Sequence, residues 1–417
     1  MSTMPAQEWV VSGFGVTSAI GQGAAAFTSA LMAGAARFQV MERPGRQHRH
    51  NGQASAHLGA ELTALTMPEG VTPQLWRTAT FPAQAALVTV HEAWHAARLQ
   101  DVPGQRVGLI VGGTNVQQRD LVLMQEAYRE RVPFLRAAYG STFMDTDLVG
   151  LCTQQFGIHG MSFTVGGASA SGLLAVIQAA EAVRAGRVDV CIAVGALMDL
   201  SYWECQGLRG LGAMGTDRFA QEPERACRPF DRESDGFIYG EACGAVVIES
   251  AAHARRRGVK PRGVLAGWEM QLDANRGPLS SVEGETQVIA AALRQADLPP
   301  ERVDYVNPHG SGSRQGDAIE LSALKACGLS HARLNTTKSI TGHGLSSAGA
   351  VGLIATLVQL EQGRLHPSRN LVDPIDSSFR WVGASAEEQP IENALVLAYG
   401  FGGINTAVAV RRSAPGT

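Results

Sequence analysis

Short apolar runs that end in glycine alternate along this chain with alanine-rich stretches of helical spacing, as in VGLIVGG (107–113), VDVCIAVGAL (188–197) and NALVLAYG (393–400). Runs of that length without a polar face predict strands covered on both sides, and the alternation predicts an α/β protein. Two further runs, 242–250 and 405–412, each follow a glycine-rich turn and read as strands that close a half, which hints at an internal duplication. The charged stretch from Ala252 to Arg262, with Arg255, Arg256, Arg257, Lys260 and Pro261, has the composition of a surface connector. It divides the chain into two expected halves, 1–255 and 256–417.

Length supports that division, because 417 residues exceed what one core usually organises. With 45% hydrophobic and 18% charged residues, the chain reads as a globular enzyme rather than a disordered segment. A net charge of -3 offers no general attraction for a polyanion, so no nucleic-acid partner is expected. The six cysteines (Cys152, Cys191, Cys205, Cys227, Cys243, Cys327) form no C-x-x-C pair, which predicts neither a disulfide frame nor a cysteine zinc site and suits a reducing cytoplasm. MSTMPAQEWVV lacks the features of a signal peptide and the apolar stretch around Leu353 is too short to span a bilayer, so no membrane association is expected.

The candidate chemistry sits on glycine-rich turns. MSFTVGGASASGLLAVIQAAEAVRAG runs from a strand through such a turn into a helix, and Ser169 falls at the elbow. A polar group there stands above the sheet at the positive end of a helix dipole, which favours developing negative charge. Gly172 and its small neighbours read as room for a substrate to approach. VDYVN leads into PHGSGSRQGDAIE, which places His309 on a second turn with Asp317 and Glu320 just downstream. LNTTKSITGHGLSSAGAVG places Lys338 and His343 on a third. The chain holds three lysines against 32 arginines, so a lysine in this turn points to chemistry rather than composition.

With these residues in view, A-S-A-S-G resembles the A-C-x-S-G nucleophile turn of ketosynthases, and HGSGS and KSITGH resemble their two histidine motifs. RPFDRESDGFIYGEACG (228–244), YGFGGIN (399–405) and the N-terminal VSGFGVTSAIGQG are similar to further signatures in the same order. The resemblance, to the ketosynthase family of the thiolase superfamily, covers nearly the whole chain. It implies the thiolase fold, two similar α/β halves in a five-layer αβαβα arrangement, usually as a homodimer. It implies that His309 and His343 bind the thioester carbonyl oxygen, that Lys338 supports the second histidine turn, that Phe401 gates the pocket, and that Arg77 in QLWRTATF contacts the carrier. No cofactor of its own is implied, since phosphopantetheine arrives on the acyl carrier protein.

Departures from the family pattern decide the expected reaction. Ser169 stands where the condensing cysteine should be, Gly166 and Gly167 form an unusual V-G-G run, Asn307 replaces a frequent acidic residue and Ile404 the usual threonine. Serine needs a dedicated base to become a nucleophile, and no acid that would complete a serine-hydrolase triad is signalled. Ser169 is therefore expected to act as a hydrogen-bonding group. Decarboxylation of a malonyl thioester needs only donors at the carbonyl oxygen, so the expected function is conversion of malonyl-acyl carrier protein to acetyl-acyl carrier protein and carbon dioxide. The chain resembles the ketosynthase-like decarboxylases with serine at this position that serve β-branching in polyketide biosynthesis.

Alternatives are a condensing ketosynthase whose cysteine was replaced, a serine-dependent acyltransferase, and a silent ketosynthase-like dimer partner. From a different class, HEAWH (91–95) matches H-E-x-x-H and could set His91 and His95 around zinc with Glu92 as base. The metzincin continuation is absent, because Ala96, Ala97 and Arg98 follow, and no metal is expected.

Overall fold

The computed structural model describes residues 8–279 and 281–413. The signal-peptide reading of the first seven residues lies outside them. The apolar runs form strands β1 (Trp9–Ser18), β2 (Val107–Gly112), β3 (Ser162–Val165), β4 (Val190–Gly195) and β5 (Ala242–Ser250), then β6 (Gly263–Leu272), β7 (Tyr305–Asn307), β8 (Arg333–Leu334), β9 (Asn393–Gly400) and β10 (Ile404–Arg411). Their order across the sheet is β3-β2-β4-β5-β1-β6-β10-β9-β7-β8. Counted outward from the centre, the sequence 1, 5, 4, 2, 3 is repeated as 6, 10, 9, 7, 8, so the two halves share one topology. β1 and β6 join them through three antiparallel pairs, Trp9 with Leu265, Val10 with Val264 and Val11 with Gly263. The connector reading places its boundary inside the short helix Ala251–Arg256 that precedes β6.

Five layers follow from where the helices pack. Helices α1 (Phe81–Ala96) and α2 (Thr146–Phe156) cover the outer face of the first half, and α4 (Val282–Gln295) and α5 (Arg314–Ala326) that of the second. Between the two halves of the sheet lie α3 (Ser171–Arg184) and α6 (Ala348–Gln362), which pack on strands of both. A helix enclosed by strands on two sides has no solvent face, and Ala348 through Leu360 are all buried. The same enclosure explains the continuous apolar strands: every residue of β2 and β4 is buried.

Small residues let the central helices meet. A Cβ at Gly172 would stand 2.7 Å from the Ser346 carbonyl oxygen and 3.0 Å from the Ala350 nitrogen. Gly172 thus admits α6, not substrate, which corrects the reading made from the sequence. Arg257 is likewise more than a solvated connector residue, because its guanidinium pairs with buried Glu249 at 2.6 Å and caps the carbonyls of Ala97 and Arg98. Among the described residues no helix is long and apolar enough to cross a membrane.

Candidate active site

Ser169 sits in a single 3-10 turn, Ala168–Ala170, between β3 and α3. The turn is held by Ser171, whose Oγ accepts from the Gly167 amide (2.9 Å) and donates to the Ala168 carbonyl (2.7 Å). Ala168 takes φ of +46°, a left-handed conformation that costs an L-residue roughly 1–2 kcal/mol and is retained where the surroundings fix it. The end of β9 closes on this turn: a Cβ at Gly400 would lie 2.1 Å from the Gly167 carbonyl oxygen, so only glycine fits.

His309 follows β7 on a loop whose backbone is bound by two carboxylates of α5. Glu320 accepts from the His309 amide (2.6 Å) and the Gly310 amide (2.7 Å), while Asp317 accepts from Gly312 (3.1 Å) and Phe230 (2.6 Å). Three residues apart, they lie on one helical face. Lys338 donates its ammonium hydrogen bond to the His309 carbonyl. Burial raises Glu320 to about 7 and Asp317 to about 6 and lowers Lys338 to about 8. Lys338 therefore fixes the first histidine turn, whereas the sequence reading attached it to the second.

His343 is set by the signature 228–244. Its amide donates to the Ile238 carbonyl (2.8 Å), its carbonyl accepts from Gly240 (3.2 Å), and the edge of its ring meets Phe237 at 5.1 Å. Glu241, next along that strand, is held by buried Arg46 and by Arg43 at 2.7 Å.

The structure brings Ser169, His309, His343 and Phe401 to one cavity of about 470 Å³, with Tyr399, Glu285 and Phe237 also on its walls. The two imidazoles lie 5.4 Å apart, edge to face. Each has its Nδ1 occupied by a backbone donor: the Tyr399 amide reaches His309 at 3.3 Å and the Leu345 amide reaches His343 at 3.4 Å. Burial, reinforced by the charge of Lys338, holds both well below the usual histidine range, so both are neutral at pH 7. A neutral ring that accepts at Nδ1 carries its proton on Nε2. Two Nε2–H groups therefore serve the cavity, and that of His343 points at Ser169 Oγ, 3.1 Å away. Because His343 donates in this contact, it cannot take the serine proton.

Other sequence candidates lie elsewhere. Asn307 donates to Tyr305 Oη (3.0 Å) and Thr337 Oγ1 (2.9 Å) and does not line the cavity, and Ile404 packs against the central core. Arg77 is exposed on the short helix Pro73–Thr78 and does not line the cavity. The HEAWH segment is on α1, with the rings of His91 and His95 4.4 Å apart. Glu92 accepts from the Val16 amide (2.9 Å) and the Ala24 amide (2.6 Å), which fixes the carboxylate as a structural acceptor. The six cysteines are free. Tyr399 and Glu285 escaped the sequence reading; Tyr399 lies within the YGFGGIN signature, but nothing local to Glu285 marked it.

These features define a condensing-enzyme fold, and family comparison agrees: the β-ketoacyl synthase N-terminal domain matches residues 7–254 and its C-terminal domain residues 262–372. The chain belongs to the β-ketoacyl synthase family. Among its relatives, the polyketide biosynthesis malonyl-ACP decarboxylase PksF of Bacillus subtilis (strain 168) is 56% identical over 404 residues, covering 97% of this chain and 96% of the relative. A β-ketoacyl synthase from Burkholderia phymatum STM815 shares the fold with a TM-score of 0.87 at 22% identity, covering 97% of this chain and 99% of that one. A type II polyketide ketosynthase, solved in complex with its acyl-carrier protein and bound to the hexaketide, superimposes with a TM-score of 0.82 at 25% identity, covering 97% and 99%.

Proposed function

We propose that this protein decarboxylates malonyl-acyl carrier protein to acetyl-acyl carrier protein in polyketide biosynthesis, without forming an acyl-enzyme. What carries the reading is the contact that each Nδ1 makes with a backbone amide, Leu345 for His343 and Tyr399 for His309: it leaves the proton of both neutral rings on Nε2, so that His343 donates to Ser169 rather than taking its proton. The thioester carbonyl oxygen is bound between Nε2–H of His309 and Nε2–H of His343. As carbon dioxide leaves, the negative charge moves onto that oxygen, where each donor is worth roughly 10² to 10³ in rate. Both donors are fixed before the reaction begins, so they need no reorganisation. The high identity to a relative named as a malonyl-ACP decarboxylase supports the same reading.

In this reading Phe401 gates the cavity, Lys338 positions His309 through its carbonyl, and Arg77 meets the acidic carrier. The phosphopantetheine arm brings the substrate, and no further cofactor takes part. A homodimer is supported by β3, which pairs only with β2 among the described strands and leads directly into the Ser169 turn. Pairing at that edge would bring the site close to the subunit boundary. Free cysteines accord with a cytoplasmic setting. The test is intact-mass analysis of malonyl-carrier protein after incubation with the enzyme. Conversion to acetyl-carrier is expected; an unchanged carrier, or condensation when acyl-carrier is added, would overturn the proposal.

A further inference from the structure

A malonyl group on a carrier hangs from a phosphopantetheine arm, so the substrate brings two anions: the carboxylate beside the thioester and the phosphate at the far end of the arm. A cavity that holds the reacting carbonyl at its inner end should meet the phosphate at its outer end. The cavity has two such ends. Ser169 and His343 are 7% and 2% exposed, whereas Leu211 on the same wall is 59% exposed and Arg314 and Gln315 beside it also face solvent.

Arg314 is the only arginine or lysine among the described residues that line the cavity. It is the first residue of α5, and its Nε donates to the Ser234 carbonyl at 2.5 Å. Ser234 in turn donates its hydroxyl to the Gly312 carbonyl (2.6 Å), so the anchor belongs to the same loop that carries His309. A guanidinium held through Nε keeps both terminal amino groups for an anion. The acids around it are engaged elsewhere. Asp317, one turn along α5, accepts from the Phe230 and Gly312 amides, and Asp235 on the cavity wall accepts from the Thr216 hydroxyl (2.6 Å). Glu285 shares a hydrogen bond with the Tyr399 hydroxyl. Among the described residues Arg314 forms no ion pair.

We propose that Arg314 binds the phosphate of the phosphopantetheine arm and thereby sets the depth at which the thioester meets His309 and His343, an assignment that rests on the decarboxylase reading. Two free amino groups on a planar fork match two phosphate oxygens. The other anion of the substrate does not suit this residue. A cation at the malonyl carboxylate would stabilise the charge that has to leave that group, favouring the ground state over the transition state, and Arg314 stands at the exposed end of the cavity. A contact remote from the reacting carbon instead orients the substrate without opposing the chemistry.

The experiment measures kcat/KM for malonyl-phosphopantetheine and malonyl-pantetheine, two free thioesters that differ only in the phosphate. Wild type should prefer the phosphorylated arm roughly 10-fold or more, as for a charge-assisted hydrogen bond. Arg314→Met should lose most of that preference, and Arg314→Lys, which keeps the charge without the fork, should retain part of it. Both substrates meet the same folded fraction, so the ratio is insensitive to a variant that folds poorly. Wild type without a preference, or a preference that survives in Arg314→Met whether or not both rates fall together, would overturn the proposal. A raised KM for malonyl-carrier in Arg314→Met with the phosphate preference intact would set Arg314 against the carrier's protein surface and overturn it too. Wild-type protein that forms no acetyl-carrier from malonyl-carrier would instead remove the decarboxylase reading, and the assignment of Arg314 with it.

Discussion

Replacing His343 by alanine removes one of two fixed donors from the site of developing charge. The Nε2–H lost is 98% buried with its residue, held by the Leu345 amide at Nδ1 and by backbone pairing with Ile238 and Gly240, so nothing else can swing into its place. One such donor is worth roughly 10² to 10³ in kcat, or about 2.7–4 kcal/mol. His309→Ala should cost a similar factor. Since both donors serve one oxygen, the double variant should lose less than the product of the single losses. Ground-state binding comes mainly from the carrier and its arm, so KM should change little. Initial rates from time-resolved mass analysis of malonyl-carrier measure all three effects, with thermal melting as a check on folding. Near-normal turnover in both single variants would refute the reasoning.

Three further outcomes follow. The pH profile of kcat should be bell-shaped, but not because of histidine: below about 7 Glu320 gains a proton and loosens its hold on the His309 turn, and above about 8 Lys338 loses its charge. Glu320→Gln should flatten the acid limb and Lys338→Met the alkaline one; an acid limb that persists unchanged in Glu320→Gln would assign it to another group. Glu92→Ala should lower the melting temperature, because two amides lose their acceptor at about 1–3 kcal/mol each, while chelators leave activity intact; stoichiometric zinc bound through His91 and His95 would contradict this. Arg77→Glu should raise KM for carrier-borne substrate and weaken its salt dependence with little change in kcat; an unchanged KM would remove Arg77 from the carrier surface.

The residues that share the cavity were legible because each stands on a glycine-rich turn at a strand end. Ser169, His309 and His343 stood out as candidates on those turns, and the ordered family motifs together gave them, and Phe401, their expected roles. What holds them could not. Glu241 meets Arg43 across 198 positions, and Tyr305 is tied to Asn335 and Gln359 in a buried network assembled from three elements. Asp317 and Glu320 were noticed only as neighbours of His309, since their backbone partners appear only when α5 docks on the loop. Gly172 was misread because a small residue that admits a helix looks the same in sequence as one that admits a ligand. The strands were visible as apolar runs, but the crossovers that repeat one topology in two halves depend on the packing of α3 and α6.

The central claim is that carbon dioxide is lost without an acyl group ever resting on Ser169. Rapid-quench intact-mass analysis of the enzyme during turnover of malonyl-carrier tests it directly, with Ser169→Ala and Ser169→Cys alongside. Wild type should stay at its unmodified mass throughout, Ser169→Ala should keep much of the decarboxylation, and Ser169→Cys should gain an acyl adduct, because a helix N-terminus favours the thiolate. An ester on wild-type Ser169 that forms and decays at the turnover rate, with a dead alanine variant, would contradict the account.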